Sequence, residues 1–297
     1  MRTWSRRTIF FAASWGFLLI FCLATKGWRE QDPGQKGMIW APPSVNAPIP
    51  SISSIPSCDL PKVLQEAGHH ATELDTNLER FSAEEHLQFE MLNQTGFVEN
   101  SDASVFDYVF AFEQHGLVRT SREYRTPAKG GHNFSASGQD TGQVALALIF
   151  LPGMQPDYDM SCEGLDSWNG TPAWVIRFKQ RKDRPRRTMG FHSTFAAYTA
   201  MLKGRAWISM DKGEVLRLET TLMHDIPDMN IMGGTISVDY APVGIESKKL
   251  QLWLPKRIEA YWQISSHKVI LYHTFDNFKV FSVDTQQNIE KPKTQPQ

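Results

Sequence analysis

Three groups of side chains in this 297-residue chain have the types and spacings from which chemistry is built. His69 and His70 are adjacent, Asp157 and Asp159 stand two apart with Glu163 nearby, and Lys179 to Arg187 reads KQRKDRPRR. Neighbouring residues on a helix point to different faces, so the histidine pair cannot share a metal as an i, i+4 pair can, and solvent-facing rings are expected. Carboxylates at i and i+2 on a strand do share a face, as a general acid and base would require, but a solvated sheet face has the same pattern. The remaining histidines, His86, His115, His192, His224, His267 and His273 among them, fall in different elements. There is no HExxH, GxSxG, Walker loop or CxxC. The expectation is a protein without a catalytic group, metal or cofactor.

The basic run concentrates Arg181, Lys182, Arg184, Arg186 and Arg187 in one loop of a chain whose formal net charge is -1. Such a loop suits anionic lipid headgroups, at about 1 kcal/mol per near-surface charge; the other reading is a solvated hairpin end. The near-neutral whole gives no drive toward nucleic acid. Hydrophobic residues make up 41 % of the chain, enough for one large core.

Export is written at the N-terminus. Arg2, Arg6 and Arg7 precede an uncharged run from Thr8 to Ala24, as in a signal sequence. That run is long for a cleaved signal and short for a membrane span of about 20 residues. Residues 1–24 therefore read either as a signal peptide or as a retained anchor, and the chain as periplasmic or anchored facing the periplasm. Residues 25–57, with APPSVNAPIPSISSIPS, have linker composition. In an oxidising compartment Cys58 and Cys162 are a disulfide candidate, with buried free thiols as the alternative. Residues 58–285 form the expected single domain, and 286–297 a disordered tail.

Order is expected to begin at Asp59, an N-cap followed by Pro61, with Leu60, Leu64, Ala67, Ala71, Leu74 and Leu78 recurring as one helical stripe. Gly68 in its middle costs about 1 kcal/mol relative to Ala and implies close packing or a bend. Downstream the period becomes two. HLQFEM, FDYVFAF, LVRTSREYR, AWVIRFKQR, TISVDYAPV, KKLQLWLPKRIEAYWQIS and KVILYHTFDNFKVFSV read as antiparallel strands. VALALIF is buried and leans to helix; the Gly-rich loop 127–142 is a candidate cover; and Pro255 implies a bulge or strand end. The fold class is mainly β with some α: about nine or ten strands in one large curved antiparallel sheet or open half-barrel, covered by the N-terminal helix.

The hairpin KGRAWISMDKGEVLRLET carries a family resemblance. Ala206-Trp207-Ile208, Asp211 to Gly213, Val215 to Glu219 and the later Trp253-Leu254-Pro255 resemble the corresponding hairpin of the LolA/RseB-like group, the periplasmic lipoprotein-carrier superfamily. Through ERFSAEEH, FDYV, CEGL, KQRKDRPRR and FSVDTQQ the chain is also similar to uncharacterised exported acidobacterial proteins. The resemblance implies a half-barrel enclosing an apolar cavity that can hold acyl chains, and no catalytic group. Phe110, Trp174, Ile176, Phe178, Trp207, Leu216, Leu218 and Trp262 are the expected cavity lining, with the side taken by Trp207 left open. The expected function is non-enzymatic binding of a lipid or other hydrophobic ligand. The alternatives are a sensor or interaction module contacting another envelope protein, and an enzyme whose site is invisible as a linear motif.

Overall fold

The structure is a computed structural model that describes residues 40–48, 57–77, 80–115, 118–132, 139–192, 197–245 and 249–281. The segments expected as signal or anchor (1–24) and tail (286–297) lie outside the described residues, as does Leu78. Among the described residues no helix is long and apolar enough to cross a membrane.

Among the described residues one α-helix is followed by strands. The helix α1 spans Leu60–Asn77, and β1 to β3 are Arg80–Leu92, Val98–His115 and Val118–Pro127. A short strand β4 (Gln139–Thr141) precedes β5 (Tyr158–Trp168) and β6 (Thr171–Gln180); β7 (Gly190–His192) and β8 (Ala197–Thr199) are again short. Then come β9 (Leu202–Ser209), β10 (Val215–Leu222), β11 (Ile231–Ile245), β12 (Leu250–Ile264) and β13 (His267–Phe281). Ten of them form one antiparallel sheet, ordered β3-β2-β1-β13-β12-β11-β10-β9-β6-β5, while β4, β7 and β8 form a second, small one. The ten-stranded sheet is not closed into a barrel: β3 and β5 are its edges. The expected open antiparallel sheet is what forms, with the first long strand paired to the last.

Period-two alternation sorts the strands into an inner face, covered by α1, and an outer face. Phe81 and Ala83 of β1, Tyr108 and Phe110 of β2, and Trp174, Ile176 and Phe178 of β6 all belong to the main core together with Val63, Ala67, Ala71 and Leu74 of α1. VALALIF forms a buried 3-10 helix, Leu146–Phe150, fixed to β11 where the Ala147 N–H donates to the Tyr240 hydroxyl at 3.1 Å. Gly68 lets the two covers touch. A Cβ there would stand 2.9 Å from Gln155 Nε2 and 3.2 Å from the Phe150 carbonyl, while Gln155 Nε2 donates to the carbonyls of Leu64 and Phe150.

Pro255 lies inside β12, at an irregularity. Asp239 pairs with Arg257 and Tyr240 with Pro255, so Lys256 is the extra residue, and β12 meets β13 only from Arg257 onward. The missing proline N–H thus falls where that ladder has ended.

Cys58 and Cys162 are bonded, with Cα atoms 6.4 Å apart, tying the start of α1 to the β5 edge. On the outer face, residues 40–48 of the segment expected as a linker are held by side chains. Trp40 packs edge-on against Tyr261 at 5.6 Å, Val45 is buried, and the Arg205 guanidinium donates to the carbonyls of Ser44 and Ala47. Glu163 accepts from both Arg177 and Arg205. The chain is therefore fastened to the sheet on both sides of its β5 edge.

Two outcomes test this construction. The disulfide closes a separation of 104 residues, so reduction is expected to lower unfolding free energy in urea by about 4–5 kcal/mol in the chain-entropy picture. Gly68→Leu, which forces a side chain between helix and 3-10 turn, is expected to cost about 1–3 kcal/mol by the same measurement, against the gain in helix propensity.

Candidate functional site

The eight residues expected to line a cavity divide between the two faces. Trp174, Ile176, Phe178, Phe110, Leu218 and Trp262 lie on the inner face, in the main core. Trp207 and Leu216 lie on the other face, in a separate cluster with Ala173 and Val175 flanked by Trp168 and Trp253. Trp207 faces outward by plain alternation between the inward Ala206 and Ile208; for Leu216 the reason is a bulge, since the β9–β10 register shifts between Val215 and Arg217, so Val215 and Leu218 turn inward while Leu216 joins the outer cluster. Strict alternation cannot show this, because one inserted residue reverses the face of its neighbours. Arg217 then lies over the Trp168 ring at 4.3 Å and pairs with Glu219 and Asp239, and Trp207 Nε1 donates to Asp166 at 3.0 Å.

Beneath α1 the inner face is filled. Between α1, the 3-10 helix and β10 to β12 there remains a gap of about 30 Å³, bordered by His70, Leu74, Tyr240 and Trp253 among others, room for little more than a water. His70 departs from the expectation of a solvent-facing ring, since its Nε2 donates to the Lys212 carbonyl at 2.8 Å and Nδ1 lies 3.0 Å from Glu73; His69 is 70 % exposed. The hairpin turn thus docks on the helix. Gly213, at φ +76°, sits where a Cβ would be 2.5 Å from that of Glu66.

The other half of the inner face differs. Across β1, β2 and β13 it presents an aromatic wall: Phe81 stacks on Phe110 at 5.4 Å and packs on Phe278 at 5.7 Å, Phe110 meets Phe112 edge-on at 4.9 Å, and Tyr108 meets Phe275 at 5.1 Å. Here the β1–β13 register shifts between Ser82 and Glu84, and Asn277 takes a positive φ of 53°. The rings of Phe81, Tyr108, Phe110 and Phe275 are fully buried; at the irregularity lies a hollow of about 750 Å³ lined by Ser82, Glu84, Asp107, Val109 and Lys279, which alternate to the side of the strands opposite those rings, with Asn277 and Phe278 also at its border.

One row along the strands from Tyr108 is a buried ionic cluster. Glu85 is 0 % exposed; it accepts from Arg125 Nε at 2.6 Å and Nη2 at 3.0 Å and from His273 Nδ1 at 2.7 Å. Arg125 also lies 3.5 Å from Glu123 and over the Tyr108 ring at 5.0 Å. Burial raises the Glu85 carboxyl, but the His273 hydrogen bond and the Arg125 charge outweigh it and hold the group at about 2. Burial, reinforced by the Glu123 charge, pushes the Tyr108 phenol well above its usual range. Sequence reading leaves Glu85, Arg125 and Glu123 unremarked and His273 among scattered histidines. The one signal is a charge at an inward position of an otherwise apolar alternation, Phe81, Ala83, Glu85, Leu87, Phe89.

Among the described residues no group of three or more candidate ligands could hold a metal ion. Asp157 is buried, with Arg187 at 3.8 Å. In the basic loop Arg181 pairs with Asp183 at 3.0 Å and Arg186 lies over Tyr198 at 5.8 Å, while Lys182 and Arg184 are exposed.

The Glu85 carboxyl gives a pH signature. Its folded value is depressed, so its stabilisation is present above the ordinary carboxyl range and is lost as pH falls toward about 2. A depression of this size corresponds to roughly 3 kcal/mol. Urea unfolding is expected to show that loss between about pH 4.5 and 2. Glu85→Gln is expected to lose several kcal/mol at pH 7, because Arg125 and His273 lose their shared anion, and to flatten the acid limb.

No family model and no curated protein matches the chain. Among solved structures it is similar to a DUF1329 family protein from Desulfovibrio piger (10 % identity, TM-score 0.42, 75 % of this chain and 94 % of that one). It is also similar to a putative outer membrane lipoprotein-sorting protein domain from Vibrio parahaemolyticus (11 %, 0.37, 77 % and 95 %). A third similarity is to a LolA superfamily protein from Nitrosomonas europaea (13 %, 0.32, 76 % and 96 %).

Proposed function

We propose that this is a non-enzymatic cell-envelope protein that binds a lipid or other hydrophobic group in the hollow at the β1–β13 irregularity. The observation that carries this reading is the size of that hollow, about 750 Å³, beside the partly buried Val109 and Phe278, within the range of small-molecule sites. The space under α1, at about 30 Å³, admits no acyl chain unless the helix lifts. Each methylene buried in the hollow contributes about 0.8 kcal/mol, so a chain of moderate length binds without a catalytic constellation. The disulfide supports a site of action in an oxidising compartment.

A second reading, a protein-interaction module, draws on the outer face, where Trp168 and Trp253 stay partly exposed beside Arg217. Tryptophan and arginine are the residues that dominate protein interfaces.

Organic extraction of the full chain purified from its native envelope, followed by mass spectrometry, tests the first reading: copurifying lipid is expected, together with uptake of an apolar fluorescent dye. Val109→Trp, which fills the hollow from a partly buried position, is expected to reduce dye uptake about tenfold with the urea unfolding midpoint unchanged. Absence of lipid and dye from the native protein contradicts the reading, and recovery of a single crosslinked envelope protein in its place favours the second.

A further inference from the structure

The pairing registers bring four connections to one end of the ten-stranded sheet. Lys179 pairs with Lys203, Leu202 with Leu222, Ile231 with Ile264, and Leu92 with both Lys268 and Val98. The basic loop after β6, the β10–β11 connection, the β12–β13 turn and the β1–β2 turn therefore share a rim. The residues lining the hollow lie toward the other end of β1, near Arg80.

This rim combines two kinds of exposed side chain. Its β1–β2 turn carries Phe97, 73 % exposed, and β11 begins beside it with Met232, 49 % exposed. The stretch from Lys179 to Arg187 holds six cations against one carboxylate. Asp183 engages Arg181, Asp157 stands 3.8 Å from Arg187, and Asp159 pairs in register with Lys179. Lys182, Arg184 and Arg186, all exposed, remain in excess, with Lys203 beside them. Asp225 and Asp228 lie in the next connection, so the positive field is concentrated at the β6 side of the rim.

The chain also enters the described fold at this end. Trp40, its first described residue, packs with Leu92, Tyr261 and Val98 and lies under Lys268 at 5.5 Å. The sequence before it, with the uncharged run Thr8 to Ala24, is joined to the domain at the rim.

We propose that this rim docks on an anionic phospholipid surface, with the 181–187 loop among the headgroups and Phe97 and Met232 entering the interface. A soluble polyanion would answer the cations and leave the apolar side chains unmet. Met232 lies three strand spacings from β6, about 15 Å, and the β1–β2 turn lies six away, about 29 Å along the sheet. A bilayer is broad enough to meet all of them, and it offers negative charge and apolar interior together. The proposal stands apart from the hollow and does not depend on what the hollow binds.

Amide hydrogen exchange of the full chain, in vesicles of phosphatidylcholine and of phosphatidylcholine with added phosphatidylglycerol, tests it. Both preparations contain the N-terminal run, so the difference between them reports the rim. Amides of residues 93–97, 181–187 and 229–232 are expected to exchange about tenfold more slowly on the anionic vesicles, and high salt is expected to abolish the difference at 181–187. The β9–β10 turn at the opposite end, with Met210 43 % exposed, is expected to exchange alike on both. Lys182→Gln with Arg184→Gln is expected to bring the rim to within about twofold of its exchange on neutral vesicles, and Phe97→Ser to remove the slowing at 93–97. Met210→Ser with Lys212→Gln is expected to change nothing. Equal exchange on the two vesicle types, or an equal loss from the substitutions at the opposite end, overturns the proposal. Slowing of 181–187 by heparin as strong as by anionic vesicles, with Phe97→Ser without effect, assigns the loop to soluble polyanions and overturns the lipid surface.

Discussion

The pairing of β1 with β13 is the interaction on which the rest of the structure depends. It joins the first long strand to the last, from Arg80 opposite Phe281 to Leu92 opposite Lys268, and places β1 to β3 at one side of the sheet while β12 to β9, β6 and β5 continue at the other. Without it there would be two smaller sheets, each with an exposed apolar face and one more edge. With it, one inner face runs across ten strands, and Glu85 meets His273 across 188 residues of chain. A contact of such sequence separation forms late and at a high entropic cost. The buried ion pair is a poor source of net stability in itself, since desolvation offsets most of the attraction. Its consequence is registration, because a slip of one residue would turn Glu85 to solvent and leave Arg125 and His273 facing apolar neighbours.

The inner face is unevenly covered. Small residues on α1, Ala67, Gly68 and Ala71, allow the helix and the 3-10 turn to approach closely over the middle strands, and the disulfide fixes the start of the helix to the β5 edge. Beyond them, the β1–β13 irregularity at Ser82 to Glu84 interrupts the pleat and leaves a hollow bordered by Val109 and Phe278, while the rings of Phe81, Tyr108 and Phe110 stay buried.

Much of this is legible in the sequence because period-two alternation is a direct consequence of strand geometry. The alternating runs, the amphipathic stripe from Leu60 to Leu74, the Cys58–Cys162 pair and the single open antiparallel sheet all follow from local patterns or compartment. What escapes is where local pattern and tertiary pairing diverge. The bulge at Leu216 reverses a face without altering composition, so Leu216 belongs to the outer cluster. The charges of Glu85 and Arg125 look like ordinary strand polarity until the strands that carry them are placed side by side. Trp40, inside a proline-rich stretch, gives no local sign that Tyr261 will receive it.

The central claim is that an apolar ligand lies in the hollow at the β1–β13 irregularity and not beneath α1. Intermolecular nuclear Overhauser effects between a protonated acyl chain and the otherwise deuterated protein, with only its aromatic rings protonated, test it most directly. Contacts to Phe278, with none to Trp174 or Phe178, are the predicted result. Contacts confined to Trp174 and Phe178, or to Trp168 and Trp253 on the outer face, would contradict the account.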